Sequence, residues 1–213
     1  GNSRAITSSN HFTYRGADEH LPTGDSLWRK SSRIIKFSIQ GMSGLIRAAG
    51  DGIGGVDVVL KKRPGGQQSI CHTVTDTNVN NVMSFKLYLG DSITKSIYEI
   101  QLMTENTIRT FSADAVSFSA DTGTYDFTTS LSQAYGNNMF GTSPPFQIYA
   151  GDVNQDDVVD LSDAAKVDND AFNFIAGCRI TTDVNYDNFV DVTDGAIVDN
   201  NAFNFVGAIV PPD

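Results

Sequence analysis

Between Arg33 and Thr128 apolar and polar residues mostly alternate in short runs separated by Gly, Asn, Asp and Pro. The clearest runs are Arg33–Ile39, Val56–Leu60, Ser84–Leu89, Tyr98–Leu102, Thr107–Phe111 and Thr124–Thr128. Alternation places successive side chains on opposite faces of an extended chain, so each run predicts a strand with one buried face. Several short strands at close spacing predict an Ig-like β-sandwich over residues 33–150. Gly50–Gly55 and Arg63–Gly66 read as hairpin turns. A phosphate cradle at the first would need a following helix, and a strand is expected there instead.

Beyond residue 150 the apolar period lengthens. Leu161, Ala164, Ala165 and Phe172 fall roughly on one face of a short helix beginning near residue 161. The segment is then repeated: shifted by 31, residues 152–174 match 183–205 at fifteen of 23 positions. A duplicated loop-helix unit of this kind is expected to pack its two copies face to face. The recurring pairs Phe172/Phe174 and Phe203/Phe205 are assigned to the core between them. The fold class expected is therefore mostly β with a small α module at residues 151–213.

The stretch before each helix carries the chemistry. Asp152, Asn154, Asp156, Asp160 and Asp163 stand at positions 1, 3, 5, 9 and 12 of a twelve-residue loop, and Asp183, Asn185, Asp187, Asp191 and Asp194 repeat them. Calcium takes six to eight oxygens, and this is the ligand spacing of an EF-hand-type loop. The carbonyls of Val158 and Phe189 supply position 7, with Asp160 and Asp191 acting directly or through water. Two calcium sites are thus expected, their occupancy coupled to folding. Position 6, usually glycine, is Asp157 or Asn188, both of which tolerate a left-handed backbone.

These loops resemble the dockerin family, a duplicated calcium loop with Asp at position 12 followed by one helix. Gly151-Asp-Val-Asn-Gln-Asp156 and Asp199-Asn-Asn-Ala-Phe-Asn-Phe-Val206 are closest to dockerin-like C-terminal modules of secreted Bacteroidetes and Ignavibacteria proteins. In that group a β-rich segment precedes the module, and Tyr125–Thr129 with Gln133–Met139 looks like its end. The resemblance covers residues 124–210 and implies an extracellular, calcium-stabilised module. Asp25-Ser26-Leu27 and Asp91-Ser92-Ile93 resemble the O-glycan acceptor motif of Bacteroidetes, which marks Ser26 and Ser92 for glycosylation.

Charge sharpens the division. The net charge is −10, but residues 151–213 hold 13 Asp against Lys166 and Arg179, whereas residues 1–150 hold 12 acids and 13 bases. The acidity belongs to the loops, and no basic face indicates nucleic acid. No apolar run approaches the 18 residues of a membrane span. A start at Gly1 is what removal of a signal segment leaves, as in a secreted protein, and an expression scar leaves the same.

Residues 1–32 form a polar tail with scattered apolar positions and no core of their own. Such a segment orders only against a surface, its own sandwich or a neighbour's sheet edge. Ser8–Tyr14 and Ser26–Ile35 are the segments suited to strand donation, which runs head-to-tail and yields a filament where it does not close. Cys71 and Cys178 leave two readings open, a disulfide stapling the two domains or two free thiols. There is no zinc pattern. His11, His20 and His72 stand in no catalytic arrangement, and the paired carboxylates are concentrated in the loops, so no enzyme is expected.

Three functions follow: a structural subunit of an extracellular fibre or surface layer, self-associating into a filament; an adaptor docking onto a cohesin-like or carbohydrate partner; or the C-terminal fragment of a larger secreted protein. A partner-binding face on the loop-helix units would favour the adaptor.

Overall fold

The structure is a computed structural model that describes residues 31–42, 56–63, 67–72, 76–79, 82–89, 97–117 and 122–212. Ser8–Tyr14, Gly50–Gly55, Ser26 and Ser92 lie outside them. The described strands are β1 (Ser31–Phe37), β2 (Val56–Arg63), β3 (Gln67–His72), β4 (Asp76–Val79), β5 (Val82–Leu89), β6 (Ile97–Thr104), β7 (Thr110–Phe111), β8 (Val116–Ser117) and β9 (Thr122–Asp126). Three 3-10 turns between Phe127 and Asn137 then lead toward two helices, α1 (Leu161–Phe172) and α2 (Val192–Phe203). The chain is mostly β with a small α part.

One sheet runs β4-β5-β1-β9 and the other β3-β2-β6-β7, with β8 also paired to β6. In the first, β1 is central, antiparallel to β5 and parallel to β9. Period-two burial explains both sheets. Ile35, Phe37 and Ile39 point inward from one, while Val58, Leu60, Tyr98, Ile100 and Leu102 do so from the other. They share one core. It continues without a break through Ile148 and Ala150 into Val153, Val167, Val184 and Val198 of the helical part.

Two strands lie where alternation was absent. Gln67–His72 and Asp76–Val79 are polar, yet β3 and β4 occupy sheet edges, where polar sequence is tolerated. β2 and β3, on either side of the turn expected at Arg63–Gly66, do pair antiparallel with Lys61 opposite Gln67, while residues 64–66 themselves lie outside the described residues. Ser31–Phe37 fills the middle of the chain's own sheet, so the second segment suited to donation is not free over its last residues. The strand expected at Thr107–Phe111 is reduced to Thr110–Phe111, because the backbone before it forms a turn bonded to the helical part.

α1 and α2 begin where the loop spacing places them and pack against each other. Asp160 and Asp191 cap them, each in a reciprocal capping box with the Asp three residues on. The buried face differs from the expected one. Asp163, Ala164 and Val167 are inside, while Leu161 and Phe172 are 81% and 82% exposed. Asp163 is turned inward to accept the loop's N–H groups, and Leu161 and Phe172 then fall about 160–180° around the helix from it. Phe174, Phe203 and Phe205 are equally open, so the recurring aromatics are not core.

α2 faces the sheets. Gly41, at φ 78, lies where a Cβ would come within 2.3 Å of Ile197 Cδ1, so its missing side chain admits the helix. Gln40 and Asn201 form a buried reciprocal amide pair, Nε2 to Oδ1 at 3.2 Å and Nδ2 to Oε1 at 2.6 Å. Asn201 Nδ2 also donates to the Ala150 carbonyl at 2.7 Å. Cys178 is an exposed free thiol in the connector after α1, so the disulfide with Cys71, on edge strand β3, is not formed. Among the described residues no helix is long and apolar enough to cross a membrane.

Candidate metal centre

Each loop curls because its first and last carboxylates collect backbone N–H groups. Asp152 accepts from Asp156 N at 3.1 Å and Asp157 N at 2.9 Å. Asp163 reaches back from α1 to accept from Val153, Asn154 and Asp160 at 3.0–3.1 Å. The second loop repeats the frame: Asp183 accepts from Asp187 and Asn188, and Asp194 from Val184, Asn185 and Asp191. The turn expected at position 6 is left-handed in both, with φ 76 at Asp157 and 74 at Asn188. Gln155 and Tyr186, at position 4, are left-handed too.

Oxygens of Asp152, Asp156 and Asp163 lie within 4.8 Å of one another. Among the described residues this is the one cluster of that kind. Asp183, Asp187 and Asp194 share the same hydrogen-bonded frame. Asn154 and Asn185 are oriented by amide bonds to Ser162 Oγ and Thr193 Oγ1, at 2.7 and 2.8 Å. Asp160 and Asp191 serve the helices instead. Both are exposed, and each accepts from the N–H and hydroxyl of Ser162 or Thr193 at 2.7 Å, bonds that hold their pKa below the usual carboxylate value. Val158 and Phe189 sit in short bridges to Gly207 and Ala176, so each loop pairs with the segment after the other helix.

The donor set is entirely oxygen, hard and anionic, which suits a hard divalent cation. Asp152 and Asp163 are buried, and among the described residues the one arginine bonded to this loop, Arg109, is engaged by Asp157 rather than by the cluster. Two buried carboxylates converging with an exposed third at this spacing are costly unless a cation joins them, so the residues fit a bound metal.

Burial pushes the Asp152 carboxyl up to about 6, and it raises Asp163 and Asp194 as well. The fold disfavours the charged Asp152, so the metal-free protein is expected to gain stability as pH falls through about 6 toward the unfolded value of 3.8. A cation that binds only the ionised form loses affinity over the same window. Denaturation midpoints with and without calcium should therefore converge on acidification, and Asp152→Asn should flatten the metal-free curve.

A comparison with family models, curated proteins and solved structures returned no match.

The residues that seat the loops on the sheets were not apparent from the loop motif. Gln155 donates to the Thr104 carbonyl at 2.9 Å, and Arg109 pairs with Asp157. Tyr186 donates to Asn106 Oδ1 at 2.6 Å. The signal that could have found them is the set of positions where the repeats disagree, since Gln155/Tyr186 and Asp157/Asn188 are two of the eight mismatches.

The helix ends form a second arrangement. Phe174 N and Ile175 N donate to the Ala171 and Asp170 carbonyls, and Phe205 N and Val206 N to those of Ala202 and Asn201. This is the Schellman closure, in which the left-handed residue is usually glycine. Here it is Phe174 or Phe205, each at φ 53 and about 90% exposed. A bulky aromatic held in the left-handed region is strained, and strain of this kind concentrates at functional surfaces. Val158, Leu161, Ala202, Phe203 and Phe205 line an open apolar groove of about 450 Å³, edged by Asp160 and Asp199.

Proposed function

We propose that the chain is a non-enzymatic structural subunit of an extracellular assembly, an Ig-like sandwich carrying a dockerin-like module whose two loops each bind calcium. The observation that carries this reading is that the repeated unit does two things, burying its first and last loop carboxylates at its start and displaying strained aromatics at its end. A structural metal explains the first. A surface covered on association explains the second, because exposed apolar side chains gathered along one groove mark interaction sites. Self-association through these faces yields a filament without any donated strand.

A second reading is the adaptor, in which the same aromatics dock a different, cohesin-like protein or stack on carbohydrate. The open faces on both loop-helix units are the observation that favours it.

Light scattering of the purified chain in millimolar calcium, and again after chelation, tests the assembly reading. Large species in calcium that dissociate on chelation are expected. A strict monomer under both conditions would pass the proposal to the adaptor.

A further inference from the structure

We infer that the turn between β6 and β7, residues Thr104–Arg109, clamps both metal loops, with Asn106 as the positioning residue, so that the two ions bind with positive cooperativity. The inference rests on the calcium reading above and adds to it a device outside the loops.

Asn106 is fully buried and divides its bonds between the two units. Its carbonyl accepts from the N–H of Gly151, the residue before loop one, at 2.7 Å. Its Nδ2 donates to the carbonyl of Asp183, the first residue of loop two, at 3.2 Å, and its Oδ1 accepts from the Tyr186 hydroxyl at 2.6 Å. Around this residue the turn grips each loop again. Gln155 reaches the Thr104 carbonyl and Asp157 pairs with Arg109 on one side, while the Tyr186 hydroxyl lies 3.3 Å from Thr104 Oγ1 on the other. Thr107 closes the turn by accepting from Thr104 N at 2.9 Å.

Positions 4 and 6 of loop one and positions 1 and 4 of loop two are therefore fixed by a single six-residue segment. A loop that closes around an ion must settle its first residues, and in both loops those residues hold this turn. The ion that fills one loop thus orders the turn, and the second ion meets a loop whose ordering cost has already been met in part. The coupling is reciprocal, so either loop can be first. The bridges Val158–Gly207 and Ala176–Phe189 also join the units directly. The share carried by the turn is what the Tyr186 hydroxyl isolates.

The test is a calorimetric calcium titration of the full chain. In the unaltered protein two ions bind, the second at least about fivefold tighter than the first after the statistical correction. Tyr186→Phe, which removes one hydroxyl and no metal ligand, keeps two ions and brings that ratio toward unity; Asn106→Ala is the stronger lesion of the same contact. Independent binding of two ions in the unaltered protein overturns the inference and leaves the calcium reading standing. A ratio unchanged in Tyr186→Phe, or both constants weakened equally, also overturns it, since a merely structural role would act that way. Absence of any calcium uptake overturns the calcium reading itself and the coupling with it.

Discussion

Asp194→Ala is expected to destabilise the folded chain by about 2–4 kcal/mol even in chelator, and to abolish the calcium gain at the second loop. The carboxylate is completely buried and accepts three backbone N–H groups, from Val184 at 2.7 Å, Asn185 at 2.9 Å and Asp191 at 3.0 Å. Truncation leaves these donors with nothing to bond, at a cost of about 1–3 kcal/mol for each that water cannot reach. The desolvation that raises the Asp194 pKa is relieved at the same time, which sets the lower end of the range. On the proposed calcium reading, the ion at a thousand times its dissociation constant would add about 4 kcal/mol per site to the unaltered protein, and less at the weak affinities common in extracellular modules. Asp191→Ala is the control, because it removes an exposed cap worth about 1 kcal/mol. Chemical denaturation of both variants, with and without calcium, measures the difference. Equal losses in the two would refute the assignment of Asp194 as the residue that organises the loop.

Replacing Phe174 and Phe205 together by glycine is expected to weaken association by about a hundredfold or more and leave the fold as stable as before or slightly more so. Each aromatic is solvated in the isolated chain, so its removal costs no buried area there. Burial of one such ring in an interface contributes about 1.5–3 kcal/mol, and two are removed. Glycine relieves a left-handed strain of about 1–2 kcal/mol at each site, offset in part by its greater backbone entropy when unfolded. Sedimentation against concentration reads the association, and thermal denaturation at low concentration reads the fold. A drop in stability with association unchanged would mean that the rings belong to the core after all.

The curled loops, the start of each helix and the left-handed turn at position 6 were legible because carboxylate-to-backbone bonding and capping act over a few residues. Period-two burial in β1, β2 and β6 was legible for the same reason. The rotation of the helices was not: Leu161 and Phe172 read as a buried stripe by apolar content, but Asp163 decides the orientation through bonds to Val153, Asn154 and Asp160. Hydrophobic pattern lost to the hydrogen-bonding demand of a buried carboxylate. Thr107–Phe111 alternates like a strand, yet Asn106 is occupied by Gly151, Asp183 and Tyr186, which no local pattern announces. Comparing the repeats with each other would have helped more than reading either alone. Asn201 stands against Asp170, and Ile197 against Lys166, where α2 meets Gln40 and Gly41 and α1 does not.

The amide pair of Gln40 and Asn201 closes a span of 161 residues. Near it, Ile39 bridges to Ile148, and β1 awaits β9 on one side and β5 on the other. Contacts so distant along the chain slow the search for the native state, because long loops must close before any of them is rewarded. The segment from β1 to Gly41 cannot acquire all of its neighbours until Asn201 has been made. During synthesis Gln40 and Gly41, just past β1, therefore wait for α2 to arrive.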